Sequence, residues 1–337
     1  MRLLEWTPQG LYCPTGDFHI DPWRSVPRAL ITHAHGDHIF PGCGVYVTAE
    51  PGRGVLQARL GDEARIEILA YGEKIRLNEV NVSLHPAGHI LGSSQVRLEN
   101  GAVTVVTGDM KRQPDPTCAP FEPLRCDELY LDATFSLPIY RWPDPAAVAM
   151  ELNAWWTANR AARRTTIVFA YALGKAQRVL AGLEGGPILA HGAVLRFQPI
   201  YEAAGVRLPA LLPATDENAK RFGKDALVIA PPSAQNTPWM RKFAPFATAF
   251  ASGWMQMRGA KRRRNVDRGF VMSDHADWNG LLRTVAETGA SAVTVMHGFP
   301  NSLSRYLTEQ GVEAVDAPHR FGSASDAAPL ASDEVGA

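Results

Sequence analysis

Ile31-Thr-His-Ala-His-Gly-Asp-His38 is the stretch on which the reading of this chain turns. Four metal-competent side chains, His33, His35, Asp37 and His38, fall within six positions. Neutral imidazole and carboxylate are ligands that a borderline divalent ion such as Zn²⁺ accepts. Residues 26–32 include Ala-Leu-Ile-Thr and read as the end of a buried strand. Within a strand, successive side chains alternate between faces. A tight turn beyond the strand end escapes that alternation and can aim several ligands at one point. The plain alternative is a polar loop that happens to hold histidines, and it does not explain such density.

Further out, the pattern repeats. Residues 80–85 alternate as a strand should and end in Pro86-Ala-Gly-His89-Ile-Leu-Gly-Ser-Ser, which places His89 in a glycine-rich turn. The near-continuous apolar run 102–107 reads as a buried strand that ends in Gly108-Asp109. The next, from residue 128, ends at Asp132. Much later, Ser273-Asp-His275 follows a strand, and Ala292-Val-Thr-Val-Met-His297 closes another on a histidine. Upstream, residues 10–21 read as a turn feeding a short strand that ends at Asp21. A carboxylate there can accept the second ring N–H of a ligating histidine and fix its tautomer, although Asp21 also suits a turn ahead of Pro22. His19, His85 and His191 read as packing residues.

Six of the ten histidines, His33, His35, His38, His89, His275 and His297, therefore sit at strand ends or in the turns after them. With Asp37 and Asp109 they exceed what one tetrahedral ion can use. Two ions sharing Asp109 is the economical arrangement, suited to attack at phosphorus or at a carbonyl.

Between these two groups the character changes. Prolines 138, 143 and 145 read as a linker, and residues up to 268 alternate helix and strand as a small parallel-sheet α/β unit. That unit ends in Arg258-Gly-Ala-Lys261-Arg262-Arg263-Arg264-Asn-Val-Asp-Arg268, six basic residues against one acid. Such a run is either a solvated loop or a phosphate-contacting surface. The expected division is 1–137, an inserted 138–268, a return at 269–317, and a disordered tail over 318–337 rich in Ser, Ala, Asp and Gly.

Composition bounds the rest. With 337 residues, 46% apolar and 20% charged, the chain fits a globular protein of about two domains. The formal net charge is zero, so any polyanion partner must be met by local patches. The four cysteines, Cys13, Cys43, Cys118 and Cys126, show no C-x-x-C spacing. No leader is evident and no apolar run nears the ~20 residues that span a bilayer. A reducing cytoplasm is the expected location.

His33-Ala-His35-Gly-Asp37-His38, His89, Asp109 and His297 resemble the metal motifs of the metallo-β-lactamase superfamily. Asp132, His275 and His297 resemble the three further motifs of its β-CASP branch of nucleic-acid nucleases. In more detail, Gly10-Leu-Tyr-Cys-Pro-Thr-Gly-Asp-Phe18, Ile20-Asp-Pro-Trp-Arg24, Ser252-Gly-Trp-Met255 and Ser273-Asp-His-Ala-Asp-Trp278 resemble the bacterial ligase-associated DNA exonucleases. The likeness covers residues 10–317. It implies an α/β fold, an αββα sandwich with a β-CASP cap inserted at 138–268. It implies two divalent ions, Zn²⁺ or Mn²⁺: one held by His33, His35, His89 and Asp109, the other by Asp37, His38, Asp109 and His297, with Asp21 supporting the ligands.

Asp37, His275 and Asp132 are then the expected catalytic residues, with His275 protonating the leaving oxygen. Ser93, Ser94, Arg258, Lys261, Arg262, Arg263, Arg264 and Arg268 are the expected nucleic-acid contacts. The implied partners are DNA, as a single strand or a strand end, with an ATP-dependent DNA ligase and a helicase in the same pathway. His297 looks like the RNA-processing members, so RNA stays open beside DNA. A small-molecule metallo-hydrolase is a further alternative, against which stand the long insertion and the basic run. A non-catalytic subunit is another, against which stands the full ligand set.

Overall fold

The computed structural model describes residues 2–299 and 301–318. The expected tail from 319 onward lies outside the described residues. Two compact units emerge, one from the residues up to Arg141 together with those from His275 onward, the other Trp142–Asp274.

The first unit holds two sheets. One has six strands in sequence order, Glu5–Thr7, Gly10–Cys13, Phe18–Ile20, Arg28–Leu30, Val45–Ala49 and Ile66–Leu69. The other has seven, in spatial order Glu313–Asp316, Ala292–Met296, Glu128–Asp132, Ala102–Val106, Ser94–Asn100, Val80–Pro86 and Lys74–Leu77. Period-two patterning decides which face each side chain takes. Leu11, Ile20, Leu30 and Val47 of the first sheet share a core with Val82, Leu84, Val96, Leu98, Val106 and Tyr130 of the second. The alternate residues Val105, Leu129, Leu131, Val293 and Val295 turn the other way. They pack against Leu281 and Val285 of helix Trp278–Thr288 and against Leu303 and Leu307 of helix Ser302–Glu309. Leu129 and Leu131 have no exposure, and each such burial contributes about 1.5–3 kcal/mol.

Strand direction gathers the chemistry. Ala102–Val106, Glu128–Asp132 and Ala292–Met296 run parallel, with Leu129 paired to both Val105 and Val293. Val80–Pro86 joins Ala102–Val106 through one intervening antiparallel strand, so it runs the same way. His89, Asp109, Asp132 and His297 therefore all leave the sheet at one edge, at the carboxyl ends of its strands.

The second unit is a six-stranded, wholly parallel sheet in the order Leu212–Pro213, Ile188–Ala190, Leu227–Ala230, Thr165–Phe169, Phe246–Ala251 and Arg268–Phe270. Its strands are apolar on both faces because separate clusters cover each. The helix Pro145–Ala161 starts where the sequence dictates: Pro145 occupies its first turn, and the Asp144 carboxylate accepts from the N–H groups of Ala146 and Ala147.

Several elements differ from the sequence reading. Residues 10–21 form a two-strand hairpin, with Leu11 opposite Ile20, rather than a single strand. Strands Lys74–Leu77, Ser94–Asn100 and Glu313–Asp316 were not anticipated, although Lys74 and Arg76 alternate with Ile75 and Leu77 as strand residues do. The basic run contains a short helix, Ala260–Arg263, where a loop was expected. Among the described residues no helix is long and apolar enough to cross a membrane.

Candidate metal centre

Glycine and left-handed backbone build the turns that carry the ligands. Gly108, at φ +54°, lets the turn before Asp109 lie against Thr32, whose side chain an added Cβ would meet at 2.6 Å. His297 itself sits at φ 63° and Asp21 at φ 44°. Left-handed backbone costs a non-glycine residue roughly 1–2 kcal/mol, so both are held against local preference by their surroundings.

Asp21 explains how the first cluster is held. Its Oδ1 accepts from the Thr32 N–H at 2.8 Å, while Oδ2 accepts from the Thr32 hydroxyl at 2.6 Å and faces His38 Nδ1 at 2.7 Å. That contact leaves Nε2 as the His38 nitrogen that could coordinate a metal, the role a carboxylate beside a ligating histidine plays. Thr32 was missed by the sequence reading. Its signal was its place between the strand and the first histidine.

The ligand atoms converge as two groups. His33, His35, His89 and Asp109 bring one atom each to within 4.8 Å of one another, as do His38, Asp109 and His297. Asp109 serves both with different oxygens. Oδ2 is 3.5 Å from His33 Nε2 and 3.6 Å from His89 Nε2, whereas Oδ1 is 3.4 Å from His38 Nε2. A third group joins Asp109, Asp132 and His275. Asp37 lies further out, its Oδ2 3.7 Å from His38 Nε2 and its side chain about one-third exposed.

The electrostatics fit a cation. His33 Nε2 is buried without a hydrogen-bond partner among the described residues, a costly state unless something accepts its lone pair. Burial, with protonated His38 beside it, holds His33 well below its ordinary pKa, so it is a neutral donor. At His38 burial acts in the same sense, but Asp109, Asp37 and Asp21 override it and raise the ring well above its ordinary value. A metal ion at Nε2 would take the place of that proton. Burial opposes ionisation of Asp109, yet His38, His275 and His33 hold its carboxyl well below the usual range. Neutral imidazoles and an ionised carboxylate are the donor set that divalent zinc or manganese accepts.

Beside this group, His275 Nδ1 lies 3.0 Å from Asp132 Oδ2, and its Nε2 lies 3.8 Å from Asp109 Oδ2. Asp132 is buried. Its Oδ1 accepts from the N–H and the hydroxyl of Thr134 at 3.0 and 2.7 Å. This Asx-type turn is a second feature that sequence reasoning passed over.

Other expected contacts fall elsewhere. Ser93 and Ser94 are buried and cannot present hydroxyls to a substrate. Ser93 Oγ accepts from the N–H groups of His89 and Ile90, and Ser94 Oγ donates to the Thr32 carbonyl, so both shape the ligand turns instead. In the second unit, Arg258, Lys261, Arg262 and Arg263 are exposed. Arg264 is half-buried and lies over the Phe250 ring at 4.4 Å, which ties it to the unit, whereas Arg268 makes an exposed surface pair with Glu151 at 3.1 Å. His191 caps the helix Gly192–Leu195 and packs on Trp239, a structural histidine as the sequence suggested.

No family model matches the chain. It is 31% identical over 306 residues to a probable DNA ligase of Opitutus terrae, covering 89% of this chain and 30% of that one. It is 26% identical over 151 residues to cleavage and polyadenylation specificity factor subunit 3 of Dictyostelium discoideum, covering 42% of this chain and 18% of that protein. The chain thus spans less than a third of either curated relative. A crystal structure of a protein of unknown function from Enterococcus faecalis V583 superposes with a TM-score of 0.59 at 14% identity, over 87% of this chain and 79% of that one. The two share a fold.

Proposed function

We propose that the chain is a two-metal phosphodiesterase of the metallo-β-lactamase/β-CASP kind that hydrolyses DNA, acting as an exonuclease in repair alongside a DNA ligase and a helicase. The observation that carries this reading is Asp109, whose two carboxylate oxygens face two separate histidine groups. On this reading His33, His35, His89 and Asp109 hold one ion and His38, Asp109 and His297 the other, with Asp37 completing the second set. The sandwiched sheets and the parallel-sheet unit correspond to the αββα core and its inserted cap. The similarity to a cleavage factor subunit supports a nuclease, and the longer match to a ligase-named protein favours DNA and a ligase partner.

The bound ions would supply an activated water and neutralise charge on the phosphate. The chain's own residues do the rest. Asp21 fixes the His38 tautomer, Asp132 orients His275, and His275 Nε2 is placed to give a proton to the departing oxygen.

The direct test is digestion of matched DNA and RNA strands, labelled at either end, with Zn²⁺, with Mn²⁺ and after chelation. Loss of label from DNA ends only when metal is present is the expected result. Cleavage of RNA alone would transfer the reading to an RNA-processing enzyme. Turnover of a chromogenic lactam or thioester with both strands intact would replace it by a small-molecule hydrolase.

The exposed cations carry a separate expectation. Neutralising Lys261, Arg262 and Arg263 together should weaken binding to all sequences alike and reduce the salt slope by about 2, at ~0.7–0.9 per phosphate contact. Metal content should not change. An unaltered slope would return this helix to a solvated surface.

A further inference from the structure

The second unit contains a cavity of about 220 Å³ that holds none of the metal-type residues. Its walls include Asn236, Arg241, Phe246 and Asn265, with Thr248 and Gln235 behind them. Sites that enclose drug-sized ligands measure roughly 300–1,000 Å³, so this one suits a single flat ring.

The rear wall is fixed. Thr248 is buried, and its N–H and hydroxyl donate to Asp267 Oδ2 at 2.8 and 3.1 Å. Gln235 Nε2 donates to the Arg264 carbonyl at 2.5 Å, which ties the wall to the end of the basic helix Ala260–Arg263. The rim is different in kind. Asn236 and Asn265 both adopt left-handed backbone, at φ 61° and 50°, and each is exposed. Their amides, like the exposed Arg241 guanidinium, make no hydrogen bond or ion pair among the described residues. Phe246 is half-buried at the same cavity.

These groups match one chemistry. A primary amide presents a donor and an acceptor side by side, as a base edge does. An aromatic face stacks on any base. A guanidinium pairs with phosphate. Lys261, Arg262 and Arg263 lie just upstream of Asn265, with Arg264 between, and extend the positive surface.

We infer that this cavity is a nucleobase subsite, which takes one unstacked base of a single strand of nucleic acid while Arg241 meets an adjoining phosphate. The inference rests on the phosphodiesterase reading for its substrate class and adds to it the place in the second unit where one base of the expected single strand is held. A base within a duplex is stacked and paired, so it cannot enter.

The test is fluorescence anisotropy with a phosphorothioate-linked 20-mer, as a single strand and annealed to its complement, on the full chain and on Asn236→Ala, Arg241→Ala and Phe246→Leu. Base stacking and its accompanying contacts are worth about a 5- to 150-fold change in affinity. Phe246→Leu should weaken single-strand binding by about 10-fold or more, and Asn236→Ala and Arg241→Ala by several-fold each. Duplex affinity should move by less than about 2-fold for Asn236→Ala and Phe246→Leu. Melting temperatures report folding. Should Phe246→Leu unfold, the exposed Asn236→Ala still decides. Unchanged single-strand affinity in folded variants, or equal losses on strand and duplex, overturns the subsite. A peptide site is one such outcome, in which no variant alters nucleic-acid binding. The function reading fails on different grounds, namely a wild-type chain that cleaves no phosphodiester with either metal.

Discussion

Asp109→Asn should leave a folded protein that has lost metal and nearly all phosphodiester hydrolysis. Asparagine keeps the shape of the side chain and removes the charge. In the native chain that charge faces His33 and His89 with one oxygen and His38 with the other. Both ligand groups therefore lose their shared anion at once, an effect no other single substitution in the cluster produces. His33, Asp109 and His38 are all buried, so water cannot replace the missing ligand cheaply. Charge stabilisation by a two-ion centre supplies several kcal/mol to the reaction, and each 1.36 kcal/mol is tenfold in rate. A fall of at least about 10³-fold is expected, with metal content dropping from two ions per chain. Asp37→Asn offers the contrast, since that carboxylate is one-third exposed and faces His38 of the second group at 3.7 Å. Metal analysis and turnover on a labelled strand check both. Two ions retained with normal turnover in Asp109→Asn would sink the shared-carboxylate assignment.

What could be read from the sequence follows from how local each feature is. The residues that converge in the cluster were legible because a histidine or aspartate just past a buried strand has a short list of structural explanations. Residue 109 is an example: Val105 and Val106 announce the strand, and Gly108 announces the turn that aims the carboxylate. Strand Ser94–Asn100 was not picked out, although Arg97 and Glu99 alternate with buried Val96 and Leu98, because it follows directly on a glycine-rich turn and its buried Gln95 breaks the pattern. Ser93 and Ser94 were assigned to a substrate because a serine's hydroxyl does not reveal its direction. Only the fold shows those hydroxyls bonded to the backbone of 32, 89 and 90. The basic run was ambiguous for the opposite reason. Six charges look alike in sequence, whereas Phe250 and Glu151, which claim Arg264 and Arg268, lie 14 and 117 positions away. A long-range ring contact, not propensity, sets the half-buried Arg264 apart from the exposed cations of the run.

His275→Ala should split two substrates that a metal centre alone would treat alike. Displacing a nucleotide 3′ or 5′ oxygen creates a poor leaving group that needs a proton in the transition state. Charge neutralisation at the phosphate does not supply it. His275 can: its Nδ1 is 3.0 Å from Asp132 Oδ2, which leaves Nε2 to exchange a proton with the substrate. Burial and the neighbouring Asp109 oppose ionisation of Asp132, yet His275 and His297 hold its carboxyl below the usual range. An ionised Asp132 favours the imidazolium and fixes its direction, and Thr134 fixes Asp132 in turn. General acids contribute about 10²–10⁴-fold, so His275→Ala should lose that much on DNA while both ions stay bound. A nitrophenyl phosphodiester departs without protonation, and its hydrolysis should fall far less. The comparison also tests the acid–base pair itself. Asp132→Asn keeps the hydrogen bond but removes the charge that stabilises the imidazolium, so its loss on DNA should again exceed that on the nitrophenyl ester. Equal losses on both substrates, with metal content intact, would mean that His275 positions the phosphate and is not the proton donor.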